Sequence, residues 1–187
     1  MTPYGTLYED LKVAVFDWLH NALNFQNNVL LEENSPDAVP IFRAESDAIR
    51  PERLFVEFKF LTGLNKIGTR DELLNAAGNT FKIRGQREIT VSVNVIGVDA
   101  PIYAALIEQS LESPRIQDIL RSAGLAPRVH ENIADQSVFQ ETSFEERAVL
   151  DVIFGLSLEL ADAITYIESV EIKSDLPGGT TQIVDTN

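Results

Sequence analysis

Between Arg84 and Val98 the chain reads RGQREITVSVNVIGV, where Ile89, Val91, Val93 and Val95 alternate with Thr90, Ser92 and Asn94. Successive side chains of an extended backbone point to opposite faces, so this spacing predicts a strand with one buried apolar face. Charge at Arg84, Arg87 and Glu88 marks its beginning, and Gly97 to Pro101 ends it and opens a helix. The rest of the chain must cover that face. Two further stretches impose the same demand. In Arg147 to Leu160 every even position from Ala148 onward is apolar, and in LFVEFKFLT (Leu54 to Thr62) Leu54, Val56, Phe58 and Phe60 share one side.

Helical spacing supplies the cover. Leu7 to Leu23 carries Leu7, Leu11, Ala14, Val15, Trp18 and Ala22 at three- and four-residue intervals. Two more helices are predicted over Pro101 to Ser113 and Pro114 to Ala123, each with proline in its first turn, and Gly124 stops the second. Their expected core stripes are Ile102, Ala105 and Leu106, and Ile116, Ile119, Leu120 and Ala123. Val39 to Phe42 reads as a short strand, Leu125 to Gln140 as an edge strand, and Tyr166 to Lys173 as a last strand after a turn at Ala161 to Thr165. These elements define an α+β fold, a mostly antiparallel or mixed sheet of about five strands with helices packed on one face.

The chain of 187 residues is long enough for a sizeable core without staples. One domain is expected over residues 1–174, with a long mobile loop projecting at 63–78, including a short helical turn at Asp71 to Ala77. A flexible tail is expected over residues 175–187, where LPGGTTQIVDTN has no apolar period. No apolar run reaches the length of a membrane span, and the N-terminus does not resemble a secretory signal, so synthesis in the cytoplasm is expected.

Composition narrows function mainly by exclusion. The chain has no cysteine, which removes disulfides, thiolate nucleophiles and thiolate metal sites. There is no GxSxG, and neither histidine has a base or nucleophile at catalytic spacing. His130, Glu131 and Asp135 have metal-ligand chemistry but no known metal-site spacing. GLNKIGT from Gly63 has the glycine spacing of a phosphate loop, but Thr69 stands where lysine is required. No catalytic, cofactor or metal site follows.

Net charge is -14 and unevenly distributed. Residues 1–130 carry 17 acids against 13 bases, and residues 131–187 carry 12 acids against 2 bases. Such a surface repels phosphate backbones, so the chain is expected to let DNA pass rather than bind it.

Several segments together carry a family resemblance. They are Arg50-Pro51 followed by LFVEFKFLTGLNKIG, then REITVSVNVIGVDAP, the helix pair ending at Gly124, IADQS, ERAVLDVIF and IESVEI. Over about residues 50–172 the chain resembles the neck or tail terminator proteins of tailed bacteriophages. The resemblance implies a virion protein without catalysis or cofactor. Its copies would form a ring, commonly a hexamer, on the end of the tail tube, joining it to the head connector, with the genome passing through the lumen. The implied partners are other copies of itself, the tail tube and the connector, with the tail sheath as a further candidate.

Composition and position suggest Leu64, Asn65, Lys66, Ile67, Arg70, Arg87, Glu88, Leu176 and Ile183 as contact residues between subunits or rings. A competing reading is another tail component, or a soluble assembly or binding module without catalysis.

Overall fold

A computed structural model describes residues 3–26, 29–33, 35–45, 49, 51–69, 71–75, 80–130, 132–140, 143–163, 169–172 and 182–185. Its elements in chain order begin with helix α1 (Pro3–Asn24), then β1 (Phe25–Gln26), β2 (Val29–Leu30), β3 (Ile41–Arg43), β4 (Phe55–Phe60), β5 (Asn65–Lys66), β6 (Glu72–Asn75) and β7 (Thr80–Ile96). Next come α2 (Ala100–Ser110), α3 (Pro114–Ser122), β8 (Ala126–His130), β9 (Ala134–Asp135), β10 (Val138–Gln140) and β11 (Ser143–Glu145). The last are β12 (Arg147–Ala163), β13 (Ser169–Ile172) and β14 (Gln182–Asp185).

The fold is α+β, with a mixed sheet of eight strands whose main path runs β3-β4-β7-β12-β8. The β3–β4 pair is parallel, and β4–β7 and β12–β8 are antiparallel. Two compact units share the long strands. One comprises residues 1–68 and 86–157, and the other residues 69–85 and 158–187.

The alternations select the core of the first unit as expected. Ile89, Val91, Val93 and Val95 of β7 are buried, as are Val56 and Phe58 of β4 and Ala148, Leu150, Val152, Phe154 and Leu156 of β12. The register sets Val56 opposite Val95 and Phe58 opposite Val93, so the apolar residues share one face. Leu11, Val15, Trp18 and Leu19 of α1 are buried with them, and the Trp18 ring meets Phe154 edge to face at 5.6 Å. Its indole Nε1–H donates to Ser110 Oγ at 3.0 Å, and that hydroxyl donates to the Ile107 carbonyl at 2.6 Å, tying α1 to α2. The buried Asn24 side chain accepts from the Val39 N–H at 2.7 Å and donates to the Val39 carbonyl at 3.2 Å, pinning the segment before β3 to α1.

Three expectations are corrected here. The 63–78 stretch, expected as a loop with a helical turn, contains β5 and β6, both antiparallel to β7. Since β4 pairs only with Val91–Ile96, the preceding half of β7 has backbone groups that need partners, and β5 and β6 provide them. The strand accordingly begins at Thr80, four residues before the expected start.

On α2 the buried residues are Ala100, Ala104 and Ile107, whereas Ile102 (60%) and Leu106 (47%) are exposed and Ala105 faces solvent with them. This helix is apolar around most of its girth, so periodicity could not choose the packed side, and the arc with two alanines allows the closer approach. Finally, Ala161 to Ala163 continue β12 rather than forming a turn.

In the second unit Glu72–Asn75 pair with Phe81–Arg84, and Ser169–Ile172 pair with Gln182–Asp185, a segment expected to lie in the tail. Glu159 accepts from Arg84 Nε at 2.7 Å and also bonds Arg84 Nη2, with Lys82 Nζ at 3.8 Å. These cations hold the Glu159 carboxyl below its ordinary value, the Arg84 hydrogen bond contributing most.

Candidate assembly surface

The sheet face opposite the helices carries the polar positions of the same strands, among them Glu57 opposite Asn94 and Lys59 opposite Ser92, with Glu57 and Ser92 buried. Midway along β7 this face becomes a bracket. The Thr90 N–H donates to Thr62 Oγ1 at 3.0 Å, the Leu61 N–H to the Thr90 carbonyl at 2.8 Å and the Ile67 N–H to the Gln86 carbonyl at 3.1 Å. Between these bonds Asn65 lies opposite Glu88, and Lys66 opposite Arg87. Six of the suggested contact residues, Leu64, Asn65, Lys66, Ile67, Arg87 and Glu88, are therefore brought to one place. Arg70 and Leu176 lie outside the described residues, and Ile183 sits on β14 opposite Glu171 in the second unit.

Sequence reading missed the residue that closes this bracket. Arg128 of β8 reaches across β12 to Glu88 of β7, Nη1 to Oε1 at 2.6 Å. Two local features permit the reach. The β8–β12 register slips between Ile153, opposite Val129, and Phe154, opposite Pro127, leaving Arg128 as the extra residue of a bulge. Gly155 lies beneath, and a Cβ there would stand 2.9 Å from Arg128 Cδ. The absent side chain is the channel in which the arginine lies. Around it opens a depression of about 380 Å³ bordered by Ile67, Arg87, Gly124, Arg128, Gly155 and Leu156, with no acid in its lining.

The end of β7 and the start of β12 are differently made. The Gly97 N–H donates to the Glu146 carbonyl at 3.0 Å, and the Asp99 N–H to Glu146 Oε2 at 2.8 Å, joining the end of β7 to the start of β12. Asp99 holds φ 63, and Gly97 holds φ +121 with Leu54 Cα 2.8 Å from where a Cβ would sit. This turn places Val98 in solvent (74%) beside the exposed arc of α2. Next to it stands the β10–β11 hairpin, whose Phe139 (70%) and Phe144 (62%) are directly opposed and exposed. Phe144 and Val98 border a cleft of about 290 Å³ with Pro51, Leu54 and Ile96.

Of the groups considered for metal binding, Glu131 lies outside the described residues, and His130 and Asp135 have separate partners. His130 Nδ1 pairs with Glu108 Oε1 at 2.9 Å, while Asp135 accepts the Ser137 hydroxyl at 2.6 Å and its N–H at 2.9 Å. Those two bonds, the hydroxyl first, hold the Asp135 carboxyl below its ordinary value. Among the described residues no three His, Asp or Glu side chains converge as metal ligands, and no helix is long and apolar enough to cross a membrane.

The bracket thus lies midway along β7 and β12, and the exposed apolar residues lie where β7 ends and β12 begins. Comparison with curated proteins finds no match. The profile of a family described as phage neck terminator protein matches residues 9–179, nearly the whole chain and all the elements of the main sheet. The chain belongs to the phage neck terminator family, a structural component of the virion neck.

Proposed function

We propose that copies of this chain close into a ring, hexameric as the family resemblance implies, that caps the tail tube, joins it to the head connector and lets DNA pass through its lumen without catalysis. The observation that carries this reading is the open sheet. β3 and β8 are the end strands of the main path, each paired with one neighbour within it, and identical copies can cover such edges. The charge of -14 supports passage of DNA over binding, since it supplies repulsion in place of a row of phosphate contacts. The bracket at residues 64–67 and 87–88 and the segment after Asp175 are the proposed contacts with neighbouring subunits or rings.

Imaging of the purified protein and of particle necks, with light scattering in solution, tests the reading. Rings alone or on tube ends are expected. A protein that remains monomeric or dimeric and is missing from finished necks would indicate an assembly chaperone instead.

A further inference from the structure

We infer that the last residues of β12 in one copy pair along their open edge with β6 of the next copy, which rests on the ring reading and deepens it. Backbone direction shows which groups are free. The Arg147 carbonyl accepts from the Gln136 N–H and the Arg147 N–H donates to Ser137 Oγ, both on the β9 side, whereas the Glu146 carbonyl accepts from Gly97 at the end of β7. Neighbouring residues of a strand direct their backbone groups to opposite edges, so the odd residues of β12 face away from β7. Gly97 to Arg84 and Glu146 to Glu159 span the same number of residues between two contacts of β7 with β12, so no slip changes that parity. The odd positions Ile153 and Gly155 are taken by Val129 and Ala126 of β8. Beyond them Glu159, Ala161 and Ala163 direct an N–H and a carbonyl each to an edge with no strand on it among the described residues.

This edge is the one least guarded against strand addition. β3 is only three residues long, and β8 is interrupted by Pro127 and a bulge, whereas Leu158 to Ala163 contains no proline, lysine or arginine. The occupant follows from the rest of the ribbon. In the second unit β6 pairs with β7 alone, on the side of β7 away from β12, so the ribbon has a second open edge there. Lys82 and Arg84 share a face with Glu159, so Ile83, its cross-strand partner Leu73 and Leu158 share the opposite face. Leu73 is 62% exposed at the β6 edge, and Leu158 is half-buried. Both β6 and β12 run antiparallel to β7, and rotation about a ring axis preserves faces and strand direction. The β6 strand of the next copy therefore lies parallel to β12 with its Leu73 on the Leu158 face. On the other face incoming Glu72 meets a carboxylate already matched by Arg84 and Lys82, so charge does not oppose the approach. A two-fold pairing of β12 with β12 would leave β6 and Leu73 uncovered, while the head-to-tail pairing uses both edges.

Two measurements test this. Proline at position 161 removes an N–H that faces the open edge and leaves the ladder with β7 intact, so Ala161→Pro should keep its circular dichroism and urea midpoint. It should weaken self-association about tenfold, the worth of one lost ladder bond, as read by light scattering. The chain has no cysteine, so single thiols can be cross-linked without background. Leu73→Cys and Leu158→Cys copies would be co-expressed and treated with a short bis-maleimide reagent, both as purified protein and in particle necks. A linked dimer is expected from the pair and from neither variant alone.

A folded Ala161→Pro protein that assembles like wild type overturns the inference, and if that variant fails to fold the cross-link decides alone. A link formed by Leu158→Cys or Leu73→Cys copies alone shows a two-fold pairing and also overturns it. Rings of wild-type protein without the mixed link would remove this contact and leave the ring reading intact. Monomers without the link, together with absence from finished necks, would remove both.

Discussion

Gly97 and Asn24 show how single positions hold this fold. At Gly97 a β-carbon would meet Leu54 backbone while φ stays at +121, so neither the neighbour nor the residue itself has room to adjust. Gly97→Ala should cost about 3 kcal/mol from overpacking and backbone strain together, measured as a shift in the urea midpoint at unchanged slope. Asn24 imitates a strand partner for Val39 through both halves of its amide. Asn24→Ala should cost roughly 2 kcal/mol, because the Val39 N–H and carbonyl would lose their partner in a part-buried setting. Asp135 sets a pH dependence of definite sign. Its carboxyl is lowered in the folded protein, so its contribution is complete above the ordinary value of 3.8 and lost as pH falls through the lower folded value. The stability gap between wild type and Asp135→Asn should therefore be present at pH 6 and close in strong acid, as followed by denaturation at several pH values.

Helix α2 is the element whose two faces divide packing from contact. Ala100, Ala104 and Ile107 bury one side against the core, and Ile102 and Leu106 leave the other in solvent beside Val98. An exposed apolar arc of this kind contributes little to the stability of one copy. Replacing both Ile102 and Leu106 with glutamate should change unfolding free energy by no more than about 0.5 kcal/mol, yet reduce incorporation into necks, as scored by counting complete particles. In β12 the even positions are different: Phe154 is wholly buried against Trp18, and Phe154→Ala should cost about 4 kcal/mol by calorimetry or denaturant titration. One strand thus carries core on its even residues, while Gly155 on the odd side clears the path for Arg128.

For the molecule as a whole, charge and topology act together. Acids concentrate in residues 131–187, and the open sheet leaves β3 and β8 as the ends of its main path. DNA retention should stay near background even at low salt, where non-specific binders hold most tightly.

The sequence alone determined the three long strands, the three helices and the buried face of the sheet, because periods of two and of three to four residues directly report which side faces water. It also suggested Lys66, Ile67, Arg87 and Glu88 together, which β5 and β7 bring side by side, though not the Arg128 link, whose partners lie 40 residues apart and meet only through a bulge and a missing side chain. Strands as short as β5 and β6 have too few residues to show a period, and they form because the unpaired half of β7 needs hydrogen bonds. The outward arc of α2 was likewise settled by tertiary structure, since an apolar helix packs whichever side approaches the sheet more closely.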